Sequence, residues 1–162
     1  MTKQTSPSEE KPERLYFETY LQVVRNSVGS NIFRNFYVRT NSRGEFDALD
    51  DGYNSCAFYV SAVLVIFRKL DGMHGTVAST KKDLLDSGWQ EITDLNDLQP
   101  GDVLVWEPMQ FDDGLKEHIG FYMGDGKAVS TSWTTKTPVE HDKNFGAANR
   151  KITQVFRMSD WG

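Results

Sequence analysis

Tyr53-Asn54-Ser55-Cys56-Ala57-Phe58-Tyr59-Val60-Ser61-Ala62-Val63-Leu64-Val65-Ile66-Phe67-Arg68-Lys69-Leu70 is the stretch on which the fold turns. From Ser55 to Leu70 it is nearly continuous Ala, Phe, Val, Leu and Ile. It closes in Arg68-Lys69, as the negative end of a helix dipole prefers, and stops at Asp71-Gly72. A helix that is apolar on almost every side is buried on almost every side. The segment is therefore predicted to lie at the centre of a domain. Its most apolar part, Ala57 to Phe67, is far shorter than the roughly 18 apolar residues of a membrane span, and Tyr59 and Ser61 interrupt it.

On the N-terminal side, Leu15, Phe17, Leu21, Val24, Val28, Ile32 and Phe36 recur at spacings near three and four. This predicts one broken helix or two short ones over Leu15 to Val38, with a break at Ser27-Val28-Gly29-Ser30. Residues 1–14 are polar, with no apolar h-region and no cleavage site, and are expected to form a disordered tail ahead of a single domain over 15–162. Thr40 to Tyr53, with Gly44, Gly52 and four acids, reads as a loop.

On the C-terminal side, Thr80-Lys81-Lys82-Asp83 is a capping signature for a short helix that Gly88 would end, and Gln99-Pro100-Gly101-Asp102 is a turn. The period then changes to that of strands: Val103 to Trp106, His118 to Met123, Ala128 to Trp133 and Ile152 to Arg157. Glu107 to Glu117 between them reads as an irregular, charged loop. Helices first and strands second is the pattern of an α+β domain with an antiparallel sheet.

The whole chain has 162 residues, 38% hydrophobic and 25% charged, enough for one domain with a sizeable core. Its formal charge of −5 argues against a nucleic-acid-tracking surface. One cysteine excludes an intrachain disulfide and thiolate-built metal clusters. No metal or other cofactor is expected, because His74, His118 and His141 lack ligand-like spacing.

Cys56 falls in the first turn of the buried helix, where free backbone N–H groups and the dipole stabilise a thiolate. Two readings stay open on that observation: a nucleophile, or a small apolar residue extending the helix. Asp50 and Asp51 count against activation, since nearby negative charge raises a thiol pKa. His118, at the start of a strand, can reach such a helix terminus as a base. A three-residue hairpin loop Gly124-Asp125-Gly126 puts His118, Gly120, Tyr122, Ala128, Ser130 and Ser132 on one face and Ile119, Phe121, Met123 and Val129 on the other. A two-residue loop would put Thr131 beside His118 instead. The first register is preferred because it gathers the aliphatic side chains, and the small residues beside His118 are expected to admit the Cys56 helix. His74 shows no partner and reads as a loop or capping residue, and His141 reads as an exposed loop residue. Trp106 and Trp133 are expected to fill core. Glu107, Asp112, Asp113 and Glu117 would favour a substrate with a free amino group if they rim a cleft.

Three blocks together resemble the NlpC-type cell-wall peptidases and the related CHAP amidases. They are Tyr53-Asn54-Ser55-Cys56-Ala57-Phe58-Tyr59-Val60-Ser61, Leu98-Gln99-Pro100-Gly101-Asp102-Val103-Leu104-Val105-Trp106, and His118-Ile119-Gly120-Phe121-Tyr122-Met123-Gly124-Asp125-Gly126-Lys127. The resemblance covers about Asn41 to Arg157. It implies a papain-like fold and thiol-dependent hydrolysis of peptide or isopeptide amides, with peptidoglycan stem peptides as substrate. In it Cys56 is the nucleophile, His118 the general base, and the Cys56 backbone N–H and Tyr53 hydroxyl the oxyanion donors. The third polar residue of the family, usually His, Asn or Gln, falls at Ser130. His141, Asp142 and Asn144 are candidates to replace it. The chain also has Ser55-Cys56-Ala57-Phe58 where the family commonly has Asp-Cys-Ser-Gly. These departures leave a second expectation, an idle NlpC-like binding module, and a third, acyl transfer by the same Cys-His chemistry. The protein is expected to be a monomer without membrane or nucleic-acid partners. It is expected to be cytoplasmic or exported by a signal-independent route.

Overall fold

The computed structural model describes residues 11–162, and the disordered tail expected over 1–14 falls mostly outside the described residues. Helix α1 (Tyr16–Ser27) is followed by a small hairpin, β1 (Tyr37–Thr40) and β2 (Gly44–Asp47). Next come α2 (Cys56–Ile66) and α3 (Val77–Asp86). The remaining strands are β3 (Gln90–Glu91), β4 (Val103–Phe111), β5 (Gly114–Gly124), β6 (Lys127–Thr131), β7 (Pro138–Asp142) and β8 (Ile152–Arg157). They form one antiparallel sheet in the order β3-β8-β4-β5-β6-β7. The fold is α+β, as the helix-then-strand pattern predicts.

Helix α2 lies where its composition puts it, with Ala57, Phe58, Tyr59, Val60, Ser61, Val63 and Leu64 all buried. Its two buried hydroxyls are satisfied: Ser61 Oγ donates to the Ala57 carbonyl (2.8 Å), and the Tyr59 hydroxyl shares a 2.7 Å hydrogen bond with Ser27. An unpaired hydroxyl at such a depth would cost about 1–3 kcal/mol. The helix packs on Val103, Val105, Ile119, Phe121, Val129 and Phe156, with Tyr20 and Val24 of α1 in the same core. Strand alternation sends Leu104, Trp106, Tyr122, Ala128 and Val155 to the opposite face, where they form a second, smaller core. The helix is thus packed over the aliphatic face of the sheet. The expectation that small residues beside His118 admit the helix is corrected: α2 lies over the other face, and its N-terminus meets the sheet at β5.

The body of the β5–β6 hairpin has the expected register, with Phe121 opposite Val129 and Tyr122 opposite Ala128. The tip differs. Gly124 pairs with Lys127, leaving Asp125-Gly126 as a two-residue turn with positive φ at both positions, and the extra residue is absorbed as a bulge between Tyr122 and Gly124. Gly120 is required by packing, because a Cβ there would lie 2.6 Å from the Val129 carbonyl and 2.7 Å from Ser130 Cβ.

Several boundaries move. The chain leaves α1 at Ser27, and Gly29 at φ +79° turns it away, so Tyr37–Thr40 is strand rather than helix. The predicted loop from Thr40 to Tyr53 contains the β1–β2 hairpin. Helix α3 begins a turn early because Thr76, not Thr80, caps it by accepting from the Ser79 N–H (3.2 Å). Glu107 to Glu117 is not an irregular loop: β4 and β5 run on as a hairpin arm through Phe111 and Gly114, so His118 lies within a strand, opposite Trp106. Asp102 is buried and accepts from Arg157 (2.7 Å to each oxygen) and from the Gln99 N–H (2.8 Å), tying the Pro-Gly-Asp turn to β8.

Candidate active site

Cys56 is the first residue of α2. Ser55 precedes it with its hydroxyl on the Gly52 carbonyl (2.9 Å), so no side chain caps the helix and the first-turn N–H groups stay available. Burial pushes the thiol pKa up, while hydrogen bonds from the backbone N–H groups of Ile119, Ala57 and Cys56 itself, and the charge of Arg150, pull it down; burial wins. The expected opposition from Asp51 does not arise, because that carboxylate is bound to Arg34 (2.7 Å) and Lys136 (3.3 Å).

The Ile119 N–H at the sulfur brings the thiol to β5 beside His118, and both residues line one cavity of about 690 Å³. His118 Nε2 lies 2.8 Å from Ser130 Oγ, and Ser130 Oγ lies 2.7 Å from His141 Nε2. His141 Nδ1 lies 2.8 Å from the Asp142 carbonyl. A carbonyl only accepts, so His141 Nδ1 carries a proton, and in the neutral ring its Nε2 must accept. The Ser130 hydroxyl therefore donates to His141, and its oxygen accepts from His118 Nε2–H. The chain of bonds leaves His118 Nδ1 as the basic nitrogen. Both rings are kept neutral: burial, Arg150 and His141 push the His118 pKa down to about 3, and burial lowers that of His141 against the pull of Asp142 and Glu140. Trp106 lies 5.6 Å from each imidazole, and Phe145 stacks on His141 at 4.0 Å.

Two sequence expectations are corrected here. His141 is not an exposed loop residue; it belongs to β7, which pairs with β6 and sets Ser130 opposite Val139. Ser130 and His141 are not alternatives, since the hydroxyl bridges the two rings. Asp142 contributes only its carbonyl, its carboxylate being bound to Lys127 (2.7 Å), and Asn144 donates to Asn149. His74 has a partner after all, Asp83 at 2.7 Å, on the surface of a structural cluster that also holds the Asp71 and Gly72 N–H groups. Among the described residues no group of three or more His, Cys, Asp or Glu is placed to hold a metal ion.

Tyr53 lines the cavity, its ring packed edge-on to Phe111 (6.3 Å) and Trp133 (6.4 Å). Trp133 is therefore rim rather than core, whereas Trp106 is fully buried. Of the acids expected to rim a cleft, Glu117 lines the cavity but is bound by Lys81 (3.1 Å). Sequence reading missed Arg150, a buried guanidinium in the cavity wall. Nothing in the run Ala147-Ala148-Asn149-Arg150-Lys151 marks one cation as buried.

No protein-family model and no curated protein matches the chain. Among solved structures it is similar to NlpC2 from Trichomonas vaginalis, at 15% identity and a TM-score of 0.55, over 95% of this chain and 51% of that one. It is also similar to NlpC1 from the same organism, at 16% identity and a TM-score of 0.53, over 94% of this chain and 49% of that one. The chain thus spans about half the length of each. At these identities the likeness shows the fold, which is NlpC-like.

Proposed function

We propose that the protein is a thiol-dependent hydrolase of peptide or isopeptide amides, with peptidoglycan stem peptides as the substrate class. The observation that carries this reading is the hydrogen-bonded series His118–Ser130–His141 ending in the cavity that holds Cys56. His118 Nδ1 takes the thiol proton as sulfur attacks the amide carbonyl. The oxyanion is met by the Cys56 backbone N–H and the Tyr53 hydroxyl, and the imidazolium then protonates the leaving amine. Water attacks the thioester with His118 again as base, releasing the acid and the thiol. Because the resting pair is neutral, proton transfer accompanies attack rather than preceding it.

The test is incubation with purified stem peptides and detection of new amino and carboxyl ends by mass spectrometry. Cleavage by the wild type that Cys56→Ala abolishes supports the reading; no cleavage of any peptide by the folded protein contradicts it. The raised thiol and lowered imidazole favour a second reading, a catalytically idle module that binds such peptides. Equal peptide binding by wild type and Cys56→Ala, without cleavage, is its expected result.

A further inference from the structure

Three charged side chains line the cavity around Cys56: Lys116, Glu117 and Arg150. Two of them are neutralised within the protein. Lys116 binds Asp113 (2.6 Å) and Asn54 (2.7 Å), and Glu117 is held by Lys81 through both carboxylate oxygens (3.1 Å each). Arg150 is not. It is only 8% exposed, yet no carboxylate of the described residues lies within ion-pair distance of it. Its Nε donates to the Glu107 carbonyl and one Nη2 hydrogen to the Lys116 carbonyl, both at 2.9 Å. Glu107, whose charge acts on Arg150, turns its Oε1 to the Lys151 N–H instead (2.9 Å). Nη1 donates to no protein group among the described residues.

A buried guanidinium held by neutral carbonyls is an unfavourable arrangement by itself, because desolvation is offset by hydrogen bonds and by the charge of Glu107 only from beyond ion-pair distance, and burial still lowers the Arg150 pKa. Its two backbone anchors fix the plane of the fork, which leaves a preorganised donor edge toward the cavity. The same cavity is also lined by Leu115 and by Tyr53, Phe111 and Trp133, whose rings pack edge-on to one another, and Leu115 and Trp133 are exposed. We propose that Arg150 is the specificity residue of this site, binding a carboxylate on the substrate next to the attacked carbonyl, with the aromatic wall receiving an adjacent apolar group. This deepens the hydrolase reading by placing an anion beside the scissile bond, although anion binding itself does not depend on hydrolysis. Arg150 already acts on both reacting groups through its charge, which lowers the thiol pKa and the His118 pKa alike, so an anion bound to it would relax the second effect.

Cys56 is the one thiol of the chain, so its alkylation reports on the cavity directly. The experiment compares anionic iodoacetate with neutral iodoacetamide on the wild type, Arg150→Lys and Arg150→Gln. Expected are a saturable iodoacetate reaction in the wild type and a fall of at least about tenfold in the iodoacetate-to-iodoacetamide rate ratio for Arg150→Gln, with part of the preference kept by Arg150→Lys, as loss of a charge-assisted hydrogen bond implies. The ratio cancels any common effect on the thiol. A ratio unchanged in Arg150→Gln overturns the proposal. A second measurement needs no variant: 3-phenylpropanoate should protect wild-type Cys56 from iodoacetamide, whereas 3-phenylpropanamide should not. Equal protection by the two also overturns it. If the carboxylate preference holds while no peptide is cleaved, the anion site stands and the hydrolase reading fails; if peptides are cleaved without a carboxylate preference, the reverse follows.

Discussion

Ser130 has one proton to give, and that restriction fixes the proton positions of both neighbouring rings. Donating to His141 Nε2 and accepting from His118 Nε2–H, it holds the tautomer of His118 in which Nδ1 is basic. Removing the bridge in Ser130→Ala should lower kcat/KM about 10–100-fold, the usual cost of losing a group that orients a catalytic ligand. His141→Ala should act similarly, and the double variant should be little worse than either, because both residues serve one function. Additive losses would show that Ser130 and His141 work separately. Cys56, His118 and Ser130 were legible in the sequence because a helix start and a hairpin register place them. His141 was not, since Pro138-Val139-Glu140-His141-Asp142 opens with proline and ends in three consecutive polar residues, which is how an edge strand and a solvated loop both read. Arg150 was illegible for a different reason: its burial arises from contacts with carbonyls of two distant strands.

At the scale of elements, the β5–β6 hairpin carries the alignment of His118 with Ser130. Gly120 lets the strands approach where that bond forms. A methyl in Gly120→Ala would meet backbone oxygen at 2.6 Å and the β-carbon of Ser130 at 2.7 Å, neither of which can swing aside. The variant should lose about 1–3 kcal/mol in denaturant unfolding, the range for overpacking, and should lose activity beyond what its folded fraction explains. Wild-type stability and activity together would contradict this account of the hairpin. The period-2 pattern of Ile119, Phe121 and Val129 made this register readable, while the bulge at its tip was not, because an Asp-Gly turn flanked by Gly124 satisfies either loop length. The β4–β5 arm was missed because Glu107 to Glu117 is too polar and charged to show strand alternation.

For the whole molecule, two imidazoles held neutral inside a cavity link stability to pH. In the unfolded chain they bind protons below about pH 6.5, whereas His118 does so only near 3 when folded. The unfolded state therefore binds more protons between those values, and stability falls as pH falls from about 6.5 toward 3. The apparent Tm should decline through that window, and less steeply in His118→Gln; parallel profiles for the two proteins would contradict the assignment. The central claim is that His118 serves as base for Cys56, and alkylation of that single thiol by iodoacetamide at pH 6 tests it most directly. An ordinary thiol is only about 0.3% ionised there. The account predicts that wild-type Cys56 reacts faster than this fraction allows and that His118→Ala lowers the rate about 10²-fold or more, the scale of general-base assistance. Equal rates in the two proteins would contradict it.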